Sequence, residues 1–315
     1  MDVRIFSGNA HHELAENVCH FLGNNLEPAR ADRFKDGEIR IELGNSVRGA
    51  DVFVIQPTPA PADNWFELFL LIDALRRSSA ERITAVIPYC GYSCQDRKDR
   101  PHVPVSIDLM GRFVQEAGAN RVLLLDMHNE ATIAFFGPRV DHLYASTVLV
   151  PVCREIGVNP RDWVVVSSDV GRAERTRGFS RRIHSELPVA IVDKRRTDDA
   201  STRVMNIIGE VADKNLLLFD DMIRTASTMI QDVEALKRAG AGKIISCVTH
   251  LDLTEGALER IVASGVELVI ATDSLPFQAP REQQAKFRIV SIAELLAKVI
   301  KRIHSNDSVT SLYLP

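Results

Sequence analysis

The sequence lacks any uninterrupted apolar run of the ~20 residues that a membrane-spanning helix needs, so no membrane partner is expected. Its opening, "MDVRIFSGNA", has no basic segment leading into an apolar stretch, which sets aside a secretory leader. Cysteine is sparse: Cys19, Cys90, Cys94, Cys153 and Cys247 are odd in number and form no C-x-x-C pair. A reducing cytoplasm is the expected location. A basic excess is missing too, and the net charge of −4 argues against nucleic acid as the main partner. No Pro- or Gly-rich linker and no low-complexity tract interrupts the chain.

What is there is globular in composition, 45% apolar and 25% charged. At 315 residues the chain is too long for most single cores, which predicts two domains. Short runs such as "VRIFSG", "DVFVIQP", "RITAVIPY" and "RVLLLDMH" read as strands, separated by amphipathic stretches like "NWFELFLLIDALRRS". "WVVVSSDV", "VAIVDKR", "NLLLFDD", "KIISCVTH" and "ELVIATD" repeat the scheme. Strands that are apolar at nearly every position suit sheets covered by helices on both faces, so the expected class is α/β, twice over. The expected boundary follows "VDHLYAS", giving domains 1–145 and 146–315, with the final segment packing back on the first domain.

In an open parallel sheet, ligands bind beyond the carboxyl ends of the strands. Asp126, His128, Asp169, Asp220, Asp221 and Asp273 all follow predicted strands at that edge. One such aspartate is as readily the cap of the next helix, but the aggregate points to a site. In "LLLFDDMIRTAST", residues 216–228, two carboxylates precede Thr225, Ala226, Ser227 and Thr228 at the start of a predicted helix. Hydroxyls and free N–H groups at a helix start suit a phosphate, and adjacent carboxylates suit sugar hydroxyls or Mg2+. A phosphorylated sugar is the ligand this stretch implies.

That stretch resembles the phosphoribosyl-pyrophosphate (PRPP) loop of type I phosphoribosyltransferases and, more closely, that of ribose-phosphate diphosphokinases, or PRPP synthetases. "FSGNAHHELAENV", "RFKDGEIRIEL", "RITAVIPYCGYSCQDRKDR", "VDHLYAS", "VVVSSDVG", "IVDKRR" and "SVTSLY" follow in that family's order. The resemblance implies two type I phosphoribosyltransferase-like domains, each a mainly parallel sheet flanked by helices. It implies that the anomeric hydroxyl of ribose 5-phosphate attacks the β-phosphorus of ATP, giving PRPP and AMP with Mg2+ as cofactor. Bringing four phosphates together requires cations to offset their repulsion.

The family's motifs assign ATP to Phe34, Asp36, Glu38, Gln95, Asp99, His128 and Asp141, and the metal to His128 and Asp169. They assign a mobile catalytic loop to Lys194 and Arg196, and the sugar phosphate to Asp220, Asp221 and residues 224–228. Read without the family, Phe34 is equally a core residue and "DKRR" a solvated strand end. Ser46, Arg48, Ser79, Ser308 and Ser311 correspond to, or adjoin, allosteric positions, and His102 falls where an arginine is usual. Because Phe34, Asp36 and Glu38 reach a neighbouring subunit's adenine in that family, a homo-oligomer is implied, dimer-based and as large as a hexamer.

The departures cluster on the acceptor side. Cys94 stands where an ATP-binding arginine is expected, Arg224 where the loop carries a carboxylate, Ser227 where it carries glycine, and Arg172 where a glycine follows Asp169. At about 5 Å and an effective dielectric near 20, each unit of charge is worth roughly 3 kcal/mol per phosphate charge, so Arg224 is expected to alter the loop's electrostatics. An active diphosphokinase with ribose 5-phosphate or a larger ribosyl phosphate as acceptor is the preferred reading. A catalytically silent, regulatory paralogue is the alternative, and a PRPP-consuming transferase a third.

Overall fold

The computed structural model describes residues 1–196 and 203–312, leaving aside the side chains of 195, 196 and 203–205. The chain divides into two compact units. The first takes in Met1–Ala145, Ser274–Pro276 and the C-terminal stretch from Ser291; the second takes in Ser146–Asp273 and Phe277–Val290.

The first unit is built on β1 (Val3–Ser7), β4 (Asp51–Ile55), β5 (Arg82–Ile87), β6 (Arg121–Leu125) and β7 (Val140–Leu143). They form one parallel sheet in the order β1-β4-β5-β6-β7. A separate antiparallel hairpin joins β2 (Ala29–Arg33) to β3 (Ile39–Leu43). Every residue of β4 is buried, because helices such as α2 (Asp63–Arg77) and α3 (Ser106–Ala117) cover the sheet. Trp65, Leu68, Leu71, Ile72 and Leu75 supply the apolar stripe of α2 at helical spacing.

The second unit carries β8 (Trp163–Ser167), β9 (Val189–Arg196), β10 (Arg203–Ile208), β11 (Asn215–Ile223), β12 (Ile244–Leu251), β13 (Leu268–Thr272) and β14 (Phe287–Val290). Its sheet runs β10-β9-β8-β11-β12-β13-β14, and only the β10–β9 pair is antiparallel among these strands. The helices are α4 (Ser146–Glu155), α5 (Ala173–Ile183), α6 (Ser227–Arg238) and α7 (Ala257–Ala263). From β8 the chain passes through α5 to β9 on one side; from β11 it passes through α6 to β12 on the other. The order therefore reverses between β8 and β11, and a crevice opens beyond their carboxyl ends. The first sheet contains no such reversal.

The C-terminal helix α8 (Ala293–Ser305) belongs to the first unit, where it packs on α1 (His12–Leu22). Leu296, Val299, Ile300 and Ile303 form its buried stripe, and Asn306 in the left-handed conformation ends it. Beside it lies a buried ion cluster. Asp51, whose side chain is fully buried, accepts from Arg82 Nε at 2.8 Å and lies 2.8 Å from His304 Nδ1, while Arg82 Nη2 also donates to the Ile303 carbonyl at 3.0 Å.

Removing one member of such a cluster strands the others without compensation, so Asp51→Ala should cost about 3–5 kcal/mol in a denaturant melt. His304→Ala, which leaves the Arg82 pair intact, should cost less than half of that. Equal losses for the two variants would contradict this account of how α8 is held.

Candidate active site

The predicted sugar-phosphate segment lies at the carboxyl edge of the second sheet. Asp220 and Asp221 fall near the end of β11, and α6 begins at Ser227. Across the crevice, β8 ends at Ser167, which pairs with Phe219, so Ser168 and Asp169 face the β11 carboxylates. The Ser168 hydroxyl donates to Asp220 Oδ2 at 2.8 Å, and the Asp221 N–H donates to Asp220 Oδ1 at 2.8 Å. The Phe179 ring, past the middle of α5, lies parallel to Phe219 at 3.9 Å between centroids and packs the helix that starts at Ala173 against β11.

At that start sits Arg172. Its N–H donates to Asp169 Oδ1 at 3.0 Å, its Nε lies 3.4 Å from Asp169 Oδ2, and its Nη1 contacts both Asp220 and Asp221. One guanidinium thus joins all three aspartates of the predicted site. Asp221 needs it most, since only 1% of that side chain is exposed.

The loop into α6 turns sharply and exposes its hydroxyls. Ala226 takes the left-handed conformation with φ 62°, turning the chain into the helix. The Arg224 carbonyl accepts from the Thr254 N–H at 3.0 Å and the Thr225 carbonyl from Arg260 Nε at 3.0 Å, which fixes the loop's backbone. Thr225 Oγ1 accepts from the Ser227 N–H at 3.3 Å, so one hydroxyl serves the helix start itself. The side chains of Thr225, Ser227 and Thr228 are exposed around a first helical turn, whose N–H groups a phosphate oxygen could use.

Arg224 requires a correction. The expectation was an uncompensated cation in the cup, but its Nε lies 3.0 Å from Asp252 Oδ2. The pair is close to neutral, so the anticipated shift in loop electrostatics is largely cancelled.

Lys194, which read without the family as a solvated strand end, is largely shielded from solvent. It lies on β9 with its ammonium 2.7 Å from Asp232 Oδ1 and 2.9 Å from Oδ2. Burial pushes the Asp232 carboxyl up to about 6, against the lowering effect of the Lys194 ammonium, and the nearby Asp169 charge raises it further. Arg196 ends β9 as backbone; its side chain lies outside the described residues.

On the first unit, Gly91 opens the loop carrying Cys94, Gln95 and Asp99. A Cβ there would meet the Thr58 carbonyl oxygen at 2.1 Å, so only glycine allows this approach. Gln95 Oε1 accepts from the Ser106 hydroxyl at 2.6 Å, and Cys94, Gln95 and Asp99 are exposed. Asn129 Nδ2 donates to Asp96 Oδ2 at 2.7 Å, joining this loop to the one that bears half-buried His128. Asp141 pairs at 2.5 Å with Arg121, the first residue of β6. Asp126 is structural, its carboxylate accepting from the Ala145 N–H at 3.0 Å.

Phe34, Asp36 and Glu38 form the tip of the β2–β3 hairpin, where the Phe34 N–H donates to the Glu38 carbonyl at 2.9 Å and Asp36 Oδ1 accepts from the Glu38 N–H at 3.2 Å. Phe34 is half exposed, with the Arg40 guanidinium 5.7 Å from its ring centroid, so it is no core residue. Among the allosteric candidates, Ser46, Arg48 and His102 are exposed, and the Ser79 carbonyl accepts from the Gly49 N–H at 2.9 Å. Ser308 and Ser311 are tied to Arg302 at the end of α8 through the Ser308 carbonyl, at 2.7 Å, and the Ser311 hydroxyl.

Sequence reasoning missed Asp232 and Asp252, each of which holds a flagged cation. Neither carries a local signal, since Asp232 lies 38 residues from Lys194. Among the described residues no group of three or more His, Cys, Asp or Glu is arranged to enclose a metal ion. The donors still fit Mg2+ by chemistry, because that ion takes hard oxygens from one or two carboxylates and completes its shell with substrate phosphates and water.

Comparison with known proteins gives a consistent result. Residues 3–118 match the N-terminal domain of ribose phosphate pyrophosphokinase, and residues 198–314 match the phosphoribosyl synthetase-associated domain. A ribose-phosphate pyrophosphokinase of Chlorobaculum tepidum is 43% identical over 99% of this chain and 95% of its own length. That of Thermotoga maritima is 41% identical over 99% and 98%. The crystal structure of phosphoribosylpyrophosphate synthetase from Mycobacterium smegmatis superposes with a TM-score of 0.90 at 34% identity, covering 97% of this chain and all of that one. With both sheets of the type I phosphoribosyltransferase kind and similarity running end to end, the chain belongs to the ribose-phosphate pyrophosphokinase family.

Proposed function

We propose that this protein transfers the β,γ-pyrophosphoryl group of ATP to the anomeric hydroxyl of ribose 5-phosphate, or of a related ribosyl phosphate, releasing AMP. The observation that carries the reading is the juxtaposition at the reversal of the second sheet: Asp220 and Asp221 stand immediately before the 224–228 loop and beside Asp169.

In this reading the hydroxyls and N–H groups of Thr225, Ser227 and Thr228 hold the 5-phosphate, while Asp220 and Asp221 accept from sugar hydroxyls and set the ring's orientation. Lys194, and Arg196 on the same strand, balance the charge that builds on the transferred group. Gln95, Asp99 and His128 bind the nucleotide, with Phe34, Asp36 and Glu38 offering an exposed ring and two carboxylates to an adenine. Asp141, paired with Arg121, is the further residue proposed to contact the nucleotide. Mg2+, for which Asp169 in the second unit and His128 in the first are each candidate ligands, would supply charge neutralisation when present.

An exposed aromatic patch supports a homo-oligomer. Phe66, Leu70, Leu109 and Phe113 are exposed on α2 and α3, and edge-to-face contacts link Phe66 to Phe69 and Phe69 to Phe113. Patches of this kind mark interaction surfaces. Among the described residues no helix is long and apolar enough to cross a membrane.

Mass spectrometry of products from ATP, Mg2+ and a panel of ribosyl phosphates should detect AMP with ribose 5-phosphate or a larger congener; no AMP with any acceptor would refute the reading and leave the silent paralogue. Lys194→Ala should slow AMP release by about 10²–10³-fold.

The Asp232 carboxyl, at about 6 against the ordinary 3.8, binds its proton more tightly folded than unfolded. Its contribution to stability is therefore complete below about pH 4 and lost as pH rises through about 6, a change of about 3 kcal/mol. Denaturant melts from pH 4 to pH 7 should show this decline relative to Asp232→Asn, and parallel curves for the two proteins would contradict it.

A further inference from the structure

We propose that Arg172 is an acceptor-selecting residue: its guanidinium occupies the seat of the sugar hydroxyls on Asp220 and Asp221, so a ribosyl phosphate binds only by displacing it. The inference rests on the proposed function for the role of the two aspartates, and on geometry for everything else.

The contacts are specific to one side chain. Arg172 Nη1 touches both Asp220 and Asp221, while its Nε lies 3.4 Å from Asp169 Oδ2 and its own N–H is capped by Asp169 Oδ1 at 3.0 Å. Three carboxylates carry three negative charges and one guanidinium returns one, leaving the group at −2. A carboxylate accepting from a guanidinium fork has fewer lone pairs left for a diol, and a hydroxyl is a weaker donor than the cation it must replace. Displacement therefore adds a cost to acceptor binding that does not depend on the chemical step.

Arg172 can move. Its side chain is 22% exposed, and its backbone at φ −100°, ψ 1° places no special demand on the residue type. Once displaced, it stays tethered at the head of α5 as a free fork facing the sugar. An acceptor that carries a further anionic group near its hydroxyls gives that fork a new partner, whereas ribose 5-phosphate does not. Asp221, with 1% of its side chain exposed, cannot be left without compensation. Arg172 thus contributes to the stability of the unliganded protein.

Calorimetric titration of ribose 5-phosphate into the full-length wild type, Arg172→Ala and Arg172→Gln distinguishes this role from a structural one, with thermal melts run alongside. Both variants should melt at lower temperature than the wild type, yet bind ribose 5-phosphate at least about tenfold more tightly, because the competing cation is gone. In turnover the gain should fall on KM and leave kcat within about threefold. A purely structural Arg172 predicts weaker binding together with the lower melting temperature. Unchanged or weaker binding in a folded variant, or no binding by any of the three proteins, overturns the proposal. Release of AMP by the wild type is scored separately: tighter binding by the variants without AMP from any protein would refute the synthetase reading alone.

Discussion

Carboxylates and phosphates repel each other, and a site that must place both within one crevice is governed by how its negative charge is compensated. In the second unit, Asp169, Asp220 and Asp221 converge because β8 and β11 are neighbours whose following helices depart to opposite sides. The fold delivers the charges to one place; Arg172 makes the arrangement tolerable without ligand. The same logic recurs where Lys194 is held by Asp232 and Arg224 by Asp252. Arg172, Lys194 and Arg224 each already have an acidic partner, so ligand binding at these side chains is an exchange of ion pairs more than the filling of a positive pocket.

This has a consequence for how the family's chemistry carries over. The proposed roles require cations to neutralise phosphate charge, and a cation engaged by a buried carboxylate exerts less pull at a distance. In the proposed role Lys194 would act through a pair whose charge depends on Asp232, a carboxyl that burial pushes up to about 6. The phosphate loop relies correspondingly more on hydroxyls, N–H groups and the first turn of α6 than on free positive charge.

Much of the fold was legible because buried parallel strands must be apolar on both faces. "WVVVS" and "IISCVTHL" could serve as little else, and they are β8 and β12. The amphipathic stripe of α2 was equally plain. β10 escaped notice, since "RVMNII" gains its strand form from antiparallel pairing with β9 and lacks a continuous apolar run. The site was legible where chemistry sits beside a strand end, as at Asp220 and Asp221, and illegible where it depends on ion pairs between distant segments. Arg172 could be seen to be unusual; that it bridges three aspartates could not, because the contact requires the strand order and the stacking of Phe179 on Phe219. The Asp141 carboxylate is likewise engaged by a cation that its motif gave no sign of, Arg121 at the start of β6.

The central claim is that the carboxyl edge of β11 and the start of α6 form the seat of a phosphorylated sugar. Its most direct test is a crystal structure of the full chain with ribose 5-phosphate, Mg2+ and a non-hydrolysable ATP analogue. The account predicts the 5-phosphate within hydrogen-bond distance of Thr225, Ser227 and Thr228, sugar hydroxyls on Asp220 and Asp221, and the Arg172 guanidinium moved off those carboxylates. A sugar phosphate bound elsewhere, or one seated with its hydroxyls away from both aspartates, would contradict it.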